Sequence, residues 1–301
     1  MMKTTVAPSV ILLVLSTIFC SSPALADALE GVLSPGEILE ASSPSDWRKL
    51  NPENTLYIDL ERGRIVVALS TQLAQRHVTQ VKALAREGYY DGLSFYRVID
   101  GFVAQGGDAF GKRPFKEAQK NMPPEFEQPL SDHISVTLQD DADGYASKIG
   151  WVDSLPVGID DKANTVWHLH CTGAFAFGRN NETDSASTEF YITLQPQRYL
   201  DRNLTVFGRV VEGMEHFQMM RRAAPPESED DDLGETILSM RVAADVPDDQ
   251  RVNLEILDSS TETFAAYLEA RRNRPSAFFY YRPDYVDICQ FPVPVRAASQ
   301  E

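Results

Sequence analysis

The chain has 301 residues, of which 43% are hydrophobic and 24% charged, enough apolar material for one full domain and an extension. Its 44 Asp and Glu against 28 Lys and Arg leave a net charge of −16 at pH 7. That balance excludes nucleic acid and an anionic lipid surface as natural partners, because both reward neutralisation by Lys and Arg.

In chain order, the first segment is read as a cleaved signal peptide over residues 1–26. Lys3 gives the positive start, Val10 to Phe19 is apolar except for Ser16 and Thr17, and Ala24-Leu25-Ala26 offers small residues for cleavage. The apolar run is too short for a transmembrane span. Bulky Phe19 before Cys20 argues against a lipoprotein. The expected mature protein therefore begins at Asp27, is exported to the periplasm, and has no stable membrane insertion. Residues 27–53, with Pro35, Gly36 and Pro44, read as an N-terminal arm.

From Leu56 the pattern becomes β-rich: Leu56 to Leu60, then Arg62-Gly63, then Arg64 to Leu69, a hairpin around a charged turn. Leu73, His77, Val78, Val81, Leu84 and Ala85 recur at helical spacing, and Gly88 stops the helix. Leu93 to Ala104 reads as one strand. Residues 130–172 yield a strand over Ile134 to Leu138 and a turn over Asp140 to Gly144, with Pro156 and Gly158 breaking the remainder. Ala174 to Phe177, Phe190 to Leu194 and Thr205 to Val211 are further strands, and Gly213 to Arg222 is a short helix. Residues 225–235 form an acidic loop, Ile237 to Ala244 a closing strand, and Thr263 to Arg274 a helix opened by a capping box of Ser259 and Glu262. The aromatic, proline-rich tail from Phe278 to Val295 is expected to pack on its own barrel.

Cys171 and Cys289 remain after signal removal. In an oxidising compartment they are a disulfide candidate; the alternative is two separately buried thiols. His168-Leu169-His170-Cys171 lacks a fourth ligand, and Asp140-Asp141-Ala142-Asp143-Gly144 lacks the glutamate of a calcium loop, so neither a metal nor another cofactor is expected. Asn181 and Asn203 open glycosylation patterns that matter only in a eukaryotic secretory pathway.

The densest chemical signal is Phe95-Tyr96-Arg97-Val98-Ile99-Asp100-Gly101-Phe102-Val103-Ala104-Gln105-Gly106-Gly107-Asp108. In a regular strand Arg97, Val103 and Gln105 share a face, and Phe102 joins them only through an irregularity at Gly101. An arginine among apolar neighbours is costly unless it has partners or a task. Spacing alone leaves a structural ion pair open. This segment resembles the active-site strand of the cyclophilins. Glu87 to Gly92, Ser185 to Ile192, and Tyr199-Leu200-Asp201 with Val206 to Met214 resemble further blocks of that family, in the family's order, over roughly residues 54–245. The whole chain is similar to exported bacterial cyclophilin-like proteins with an insert (about 112–172) and a C-terminal extension (246–301).

The resemblance implies a mainly β fold, an eight-stranded antiparallel barrel capped by two helices, and a peptidyl-prolyl cis-trans isomerase that needs no cofactor. It implies catalytic roles for Arg97 and Gln105. Phe102, Val103, Gly178, Arg179, Glu189, Tyr191, Tyr199 and Leu200 would bind a proline-containing polypeptide. A monomer is expected, and the alternative function is a binding or chaperone module of the same fold with little isomerase activity. The sequence departs from the family pattern in several places. Glu189 replaces a usual glutamine, and would either orient Arg97 or quench its field. Tyr199 stands where cyclosporin-sensitive members often have tryptophan, which implies weak cyclosporin binding. Leu204 replaces a frequent histidine, and Gln75 and Gln80 replace a common proline and asparagine.

Overall fold

The computed structural model describes residues 32–298 except 229, 230 and 232. The expected signal segment, residues 1–26, lies outside the described residues, as does part of the acidic run from Glu227 to Asp232. A short helix α1 (Pro35–Glu40) opens the described chain, followed by strands β1 (Trp47–Lys49), β2 (Thr55–Leu60) and β3 (Gly63–Leu69). Helix α2 (Gln75–Arg86) leads to β4 (Ser94–Val98) and β5 (Val103–Gly107). Next come β6 (Gln128–Pro129), β7 (Thr137–Gln139), β8 (Lys148–Val152), β9 (Leu155–Asp160) and β10 (Thr165–His168). Strands β11 (Ala174–Phe177), β12 (Phe190–Thr193) and β13 (Val206–Glu212) precede helix α3 (Met214–Gln218). The chain ends with β14 (Glu235–Thr236), β15 (Ser239–Val242), β16 (Leu254–Leu257), helix α4 (Glu262–Asn273) and β17 (Val295–Ala297).

The main sheet runs β14-β4-β5-β12-β11-β13-β3-β2-β15, with every pair antiparallel. Its two end strands are consecutive in sequence. Ile237, between them, bonds to Leu93 beside β4, while Leu238 donates to Asp59 of β2. One kinked segment thus closes the sheet on itself, and counting it once leaves the eight strands of a barrel. The expected closing strand, Ile237 to Ala244, is split at its start because it serves both edges. The interior is aromatic: Phe95, Phe175, Phe177, Phe190, Phe207 and Phe217 are all buried. Val78, Val81, Leu84 and Ala85 turn the apolar stripe of α2 onto the same core, and Phe217 does so from α3.

Three expected elements are corrected. Leu93 to Ala104 is not one strand but a hairpin, β4 and β5, with Gly101 at φ 65° in the turn. The insert carries much more than one strand: β6-β10-β9-β8-β7 form a five-stranded antiparallel sheet, and only the end of the expected Ile134 to Leu138 strand is β. Thr261, not Ser259, caps α4 by accepting from the Phe264 amide at 3.2 Å. Ser259 is instead buried, its amide donating to Ser154 Oγ at 3.1 Å.

A third sheet, β1-β16-β17, joins the arm to the extension. Val246 and Leu254 pack on Tyr57 and Val66 on the outer side of the β2–β3 hairpin. Phe264, Tyr267 and Phe291 of the extension pack with Trp151 and Trp167 of the insert and Trp47 of the arm in a separate core. Cys171 and Cys289 are disulfide-bonded in that core, Cα–Cα 4.7 Å, across 118 positions of sequence. The tail divides. Val286, Ile288 and Phe291 are buried, whereas Phe278, Tyr280 and Tyr281 project into solvent.

Candidate active site

The β4–β5 hairpin sets the site. Cross-strand register places Arg97 opposite Gln105 and Val98 opposite Ala104, so the arginine and glutamine share a face across two strands. Between Ser94 and Arg97 the register shifts by a bulge, which brings Tyr96 to the same cavity as its neighbour Arg97. The turn aims Phe102 back under the guanidinium, with Arg97 Cζ 5.3 Å from the ring centroid. On the other side of β5, β12 pairs Tyr191 with Gln105 and Thr193 with Val103.

These strands border a cavity of ≈ 450 Å³. Arg97, Gln105, Phe102, Val103, Gly178, Arg179, Glu189, Tyr191 and Leu200 all line it. Tyr199 does not. It is 58% exposed and lies outside the cavity, because its backbone turns at Arg198–Leu200 so that Leu200 faces in. Phe102, Val103, Tyr191, Leu200 and Leu204 make the apolar end. Asp108, Asn180, Ser185, Ser187 and Thr188 make the polar end.

A directional hydrogen-bond chain crosses the site. Arg97 Nη1 donates to Gln105 Oε1 at 3.0 Å, Gln105 Nε2 donates to the Tyr96 hydroxyl at 2.6 Å, and Tyr96 donates to Glu189 Oε2. Each donor points toward the carboxylate. Burial pushes the Glu189 carboxyl up to about 7, with the nearby Asp108 charge adding to the rise. Burial, then the Glu189 charge, raises the Tyr96 phenol, so Tyr96 remains a donor. Gly107 admits Glu189: with φ 130°, a Cβ there would lie 2.8 Å from Glu189 Oε1. Among the described residues Arg97 has no carboxylate partner; Glu189 reaches it only through Tyr96 and Gln105. Arg179 is held at the rim, its Nε donating to the Asn203 carbonyl at 2.9 Å and Nη1 to that of Asn180 at 2.7 Å.

Sequence reasoning missed Tyr96 and His170. Tyr96 sits inside the densest motif, but alternation puts it on the wrong face, and only the bulge recruits it. His170 stood out for metal-like spacing with His168 and Cys171. The structure gives all three other tasks: His168 meets Ser70 at 2.5 Å, His170 meets Tyr191, and Cys171 is bridged. Burial holds His168 near 4, so it is neutral. Gln80, at a position of departure from the family pattern, is buried and donates to the carbonyls of Gln119 and Ser187, fixing loops beside the cavity.

A chemistry follows from the geometry: an apolar socket beside a cationic hydrogen-bond donor. The comparisons agree with it. The family model described as "Cyclophilin type peptidyl-prolyl cis-trans isomerase/CLD" matches residues 55–242. A probable peptidyl-prolyl cis-trans isomerase of Brucella suis is 30% identical over 210 residues, covering 68% of this chain and 87% of that protein. The peptidyl-prolyl cis-trans isomerase ppi1 of Schizosaccharomyces pombe is 33% identical over 153 residues, covering 50% and 75%. Among solved structures, the cyclophilin AquaCyp293 of Hirschia baltica superposes with a TM-score of 0.70 at 24% identity, covering 85% of this chain and 95% of its own, and so shares the fold. With its closed barrel, its Arg97 socket and a family match across most of the barrel, the chain belongs to the cyclophilin-type peptidyl-prolyl cis-trans isomerases.

Proposed function

We propose that this enzyme isomerises X–Pro bonds of exported, proline-containing polypeptides, with Arg97 polarising the prolyl nitrogen. The X–Pro amide resists rotation by about 18–20 kcal/mol because nitrogen shares its lone pair with the carbonyl, and uncatalysed exchange takes tens to hundreds of seconds. A hydrogen bond to the nitrogen localises that lone pair and is strongest in the twisted transition state, where the nitrogen is pyramidal. The observation that carries this reading is the Arg97 guanidinium itself. One Nη is spent on Gln105 while Arg97 lines the cavity, and among the described residues no carboxylate pairs with it directly. The apolar end formed by Phe102, Val103, Tyr191 and Leu200 fits a pyrrolidine ring and keeps water from the nitrogen. Gln105 orients Arg97; the Gly178 and Arg179 segment offers backbone groups to the bound chain. The Cys171–Cys289 bridge supports export, because such bonds persist in oxidising compartments.

The test is a protease-coupled isomerisation assay on a proline tetrapeptide. Wild type should accelerate isomerisation, and Arg97→Ala should lose about 10²–10³ in kcat/KM, the cost typical of removing a transition-state donor. A folded, inactive wild type would leave the binding or chaperone module, a reading favoured by the solvent-facing Phe278, Tyr280 and Tyr281.

A further inference from the structure

The apolar end of the cavity contains a polar atom for which prolyl isomerisation has no use, the hydroxyl of Tyr191. That hydroxyl points away from the cavity to His170 Nε2, 2.9 Å away, and the two rings lie nearly parallel at 13°. His170 is fully buried. Its Nδ1 lies 3.0 Å from Asp201 Oδ1, and its backbone amide donates to the same oxygen at 2.8 Å. Burial raises the Tyr191 phenol, which stays protonated and donates to Nε2. Nδ1–H then donates to the Asp201 carboxylate oxygen, so that each donor and acceptor is used.

The Asp201 end is as firmly tied. Asp201 Oδ2 accepts from Arg198 Nε at 2.6 Å, and Arg198 grips Asp143 of the insert with both Nη atoms, at 2.7 and 2.8 Å. The Gln197 amide also donates to the His170 carbonyl at 2.7 Å. Leu200, the second apolar wall, lies within this 197–201 segment, next to Asp201. One imidazole therefore spans from the wall on β12 to the wall on the following turn. We infer that His170 is a positioning residue that fixes the separation of Tyr191 and Leu200, and so tunes how tightly the cavity holds a proline ring. His170 never touches the substrate, and its effect belongs to ground-state and transition-state binding alike, which appears in KM and not in kcat.

This inference rests on the isomerase reading, and a double-mutant cycle separates the two. His170→Leu, Tyr191→Phe and the double variant are compared for kcat and KM in the coupled assay, and for Kd of an alanyl-proline peptide by NMR titration, with melting temperature as a folding control. His170→Leu leaves the Tyr191 hydroxyl buried without a partner, and should raise KM and Kd about tenfold with kcat nearly unchanged. Tyr191→Phe cuts the same span from its other end, so it should raise KM and Kd similarly, and the double variant should be no worse than either single variant. A loss equal in both backgrounds, or an unchanged KM, would overturn the inference. If His170→Leu does not fold, the same cycle on His170→Gln reads the same coupling. An inactive wild type sinks the isomerase reading alone, because the peptide Kd still reports on the cavity walls.

Discussion

At Glu189 a single residue determines the pH behaviour of the site. Where the family commonly has an uncharged amide, this chain buries a carboxyl that burial, aided by Asp108, raises from 4.5 to about 7. A carboxyl raised in the folded state favours folding while it is protonated. Its contribution is full below about 4.5 and lost as pH rises through about 7. Glu189→Gln should therefore flatten the stability profile between those limits, measured as urea midpoints across pH. For activity the orienting role is the one the geometry supports, since the carboxylate meets Tyr96 and not Arg97. Wild-type kcat/KM should rise through an apparent pKa near 7 as the ionised form locks the Tyr96–Gln105–Arg97 chain. Glu189→Gln, whose amide oxygen still accepts from Tyr96, should keep activity within about threefold and lose the pH step. An unchanged step in the variant would place the titrating group elsewhere. Arg97→Lys should not rescue Arg97→Ala, because a single ammonium lacks the planar fork that holds Gln105 and presents a second donor to the cavity.

At the scale of elements, the hairpin β4–β5 turns a stretch of sequence into a site. Gly101 adopts φ 65°, and a Cβ there would meet only Gln195 at 3.6 Å, an ordinary contact. The cost of a side chain is thus conformational, about 1 kcal/mol for Gly101→Ala. Activity should fall more than this stability loss suggests, because the turn aims Phe102. Denaturant midpoints and kcat/KM measured on one preparation check both. The expectation of a single strand here failed for a physical reason: residues 93–104 have the composition of a strand throughout, and Asp100-Gly101 is a turn signal only if its flanks pair with each other. The insert failed similarly. Gly158 looks like a strand breaker, yet it lies within β9 because the Trp167 ring occupies its Cβ position, 2.7 Å away. Asp153 and Ser154 adopt positive φ without glycine, which hides the β8–β9 turn from any residue-type rule.

For the whole molecule, arm, insert and extension form one unit beside the barrel. Arg272 of α4 pairs with Asp141, and Arg198 beside the cavity pairs with Asp143, so the insert is anchored both to the extension and to the site. The Cys171–Cys289 bond closes the same assembly. Removing it with the Cys171→Ser/Cys289→Ser pair should cost about 5 kcal/mol in the chain-entropy account of a loop this long, measured from urea midpoints. Thiol labelling of denatured, unreduced protein should find neither cysteine free. Deleting residues 246–301 would strip Leu257, Phe264 and Phe291 from the core around Trp151 and Trp167. The truncated chain should show red-shifted tryptophan emission and lose its cooperative melt, where a merely appended tail would leave both unchanged.

What the sequence determined by itself was the barrel and the identity of the residues around its cavity. Apolar alternation over Leu56 to Leu69 and helical spacing over Leu73 to Ala85 are local properties, and strand and helix follow from them. Arg97, Phe102 and Gln105 were legible because they stand in one ordered motif. Tertiary structure decided everything that depends on which segments meet. It folded the motif into a hairpin, recruited Tyr96 through a bulge, left Tyr199 outside the cavity, and joined His170 to Tyr191 across 21 positions. It also decided what the departures mean, since a carboxyl at position 189 titrates according to its burial and its distance from Tyr96 and Asp108. Those are properties of a packed site, and no run of residues carries them alone.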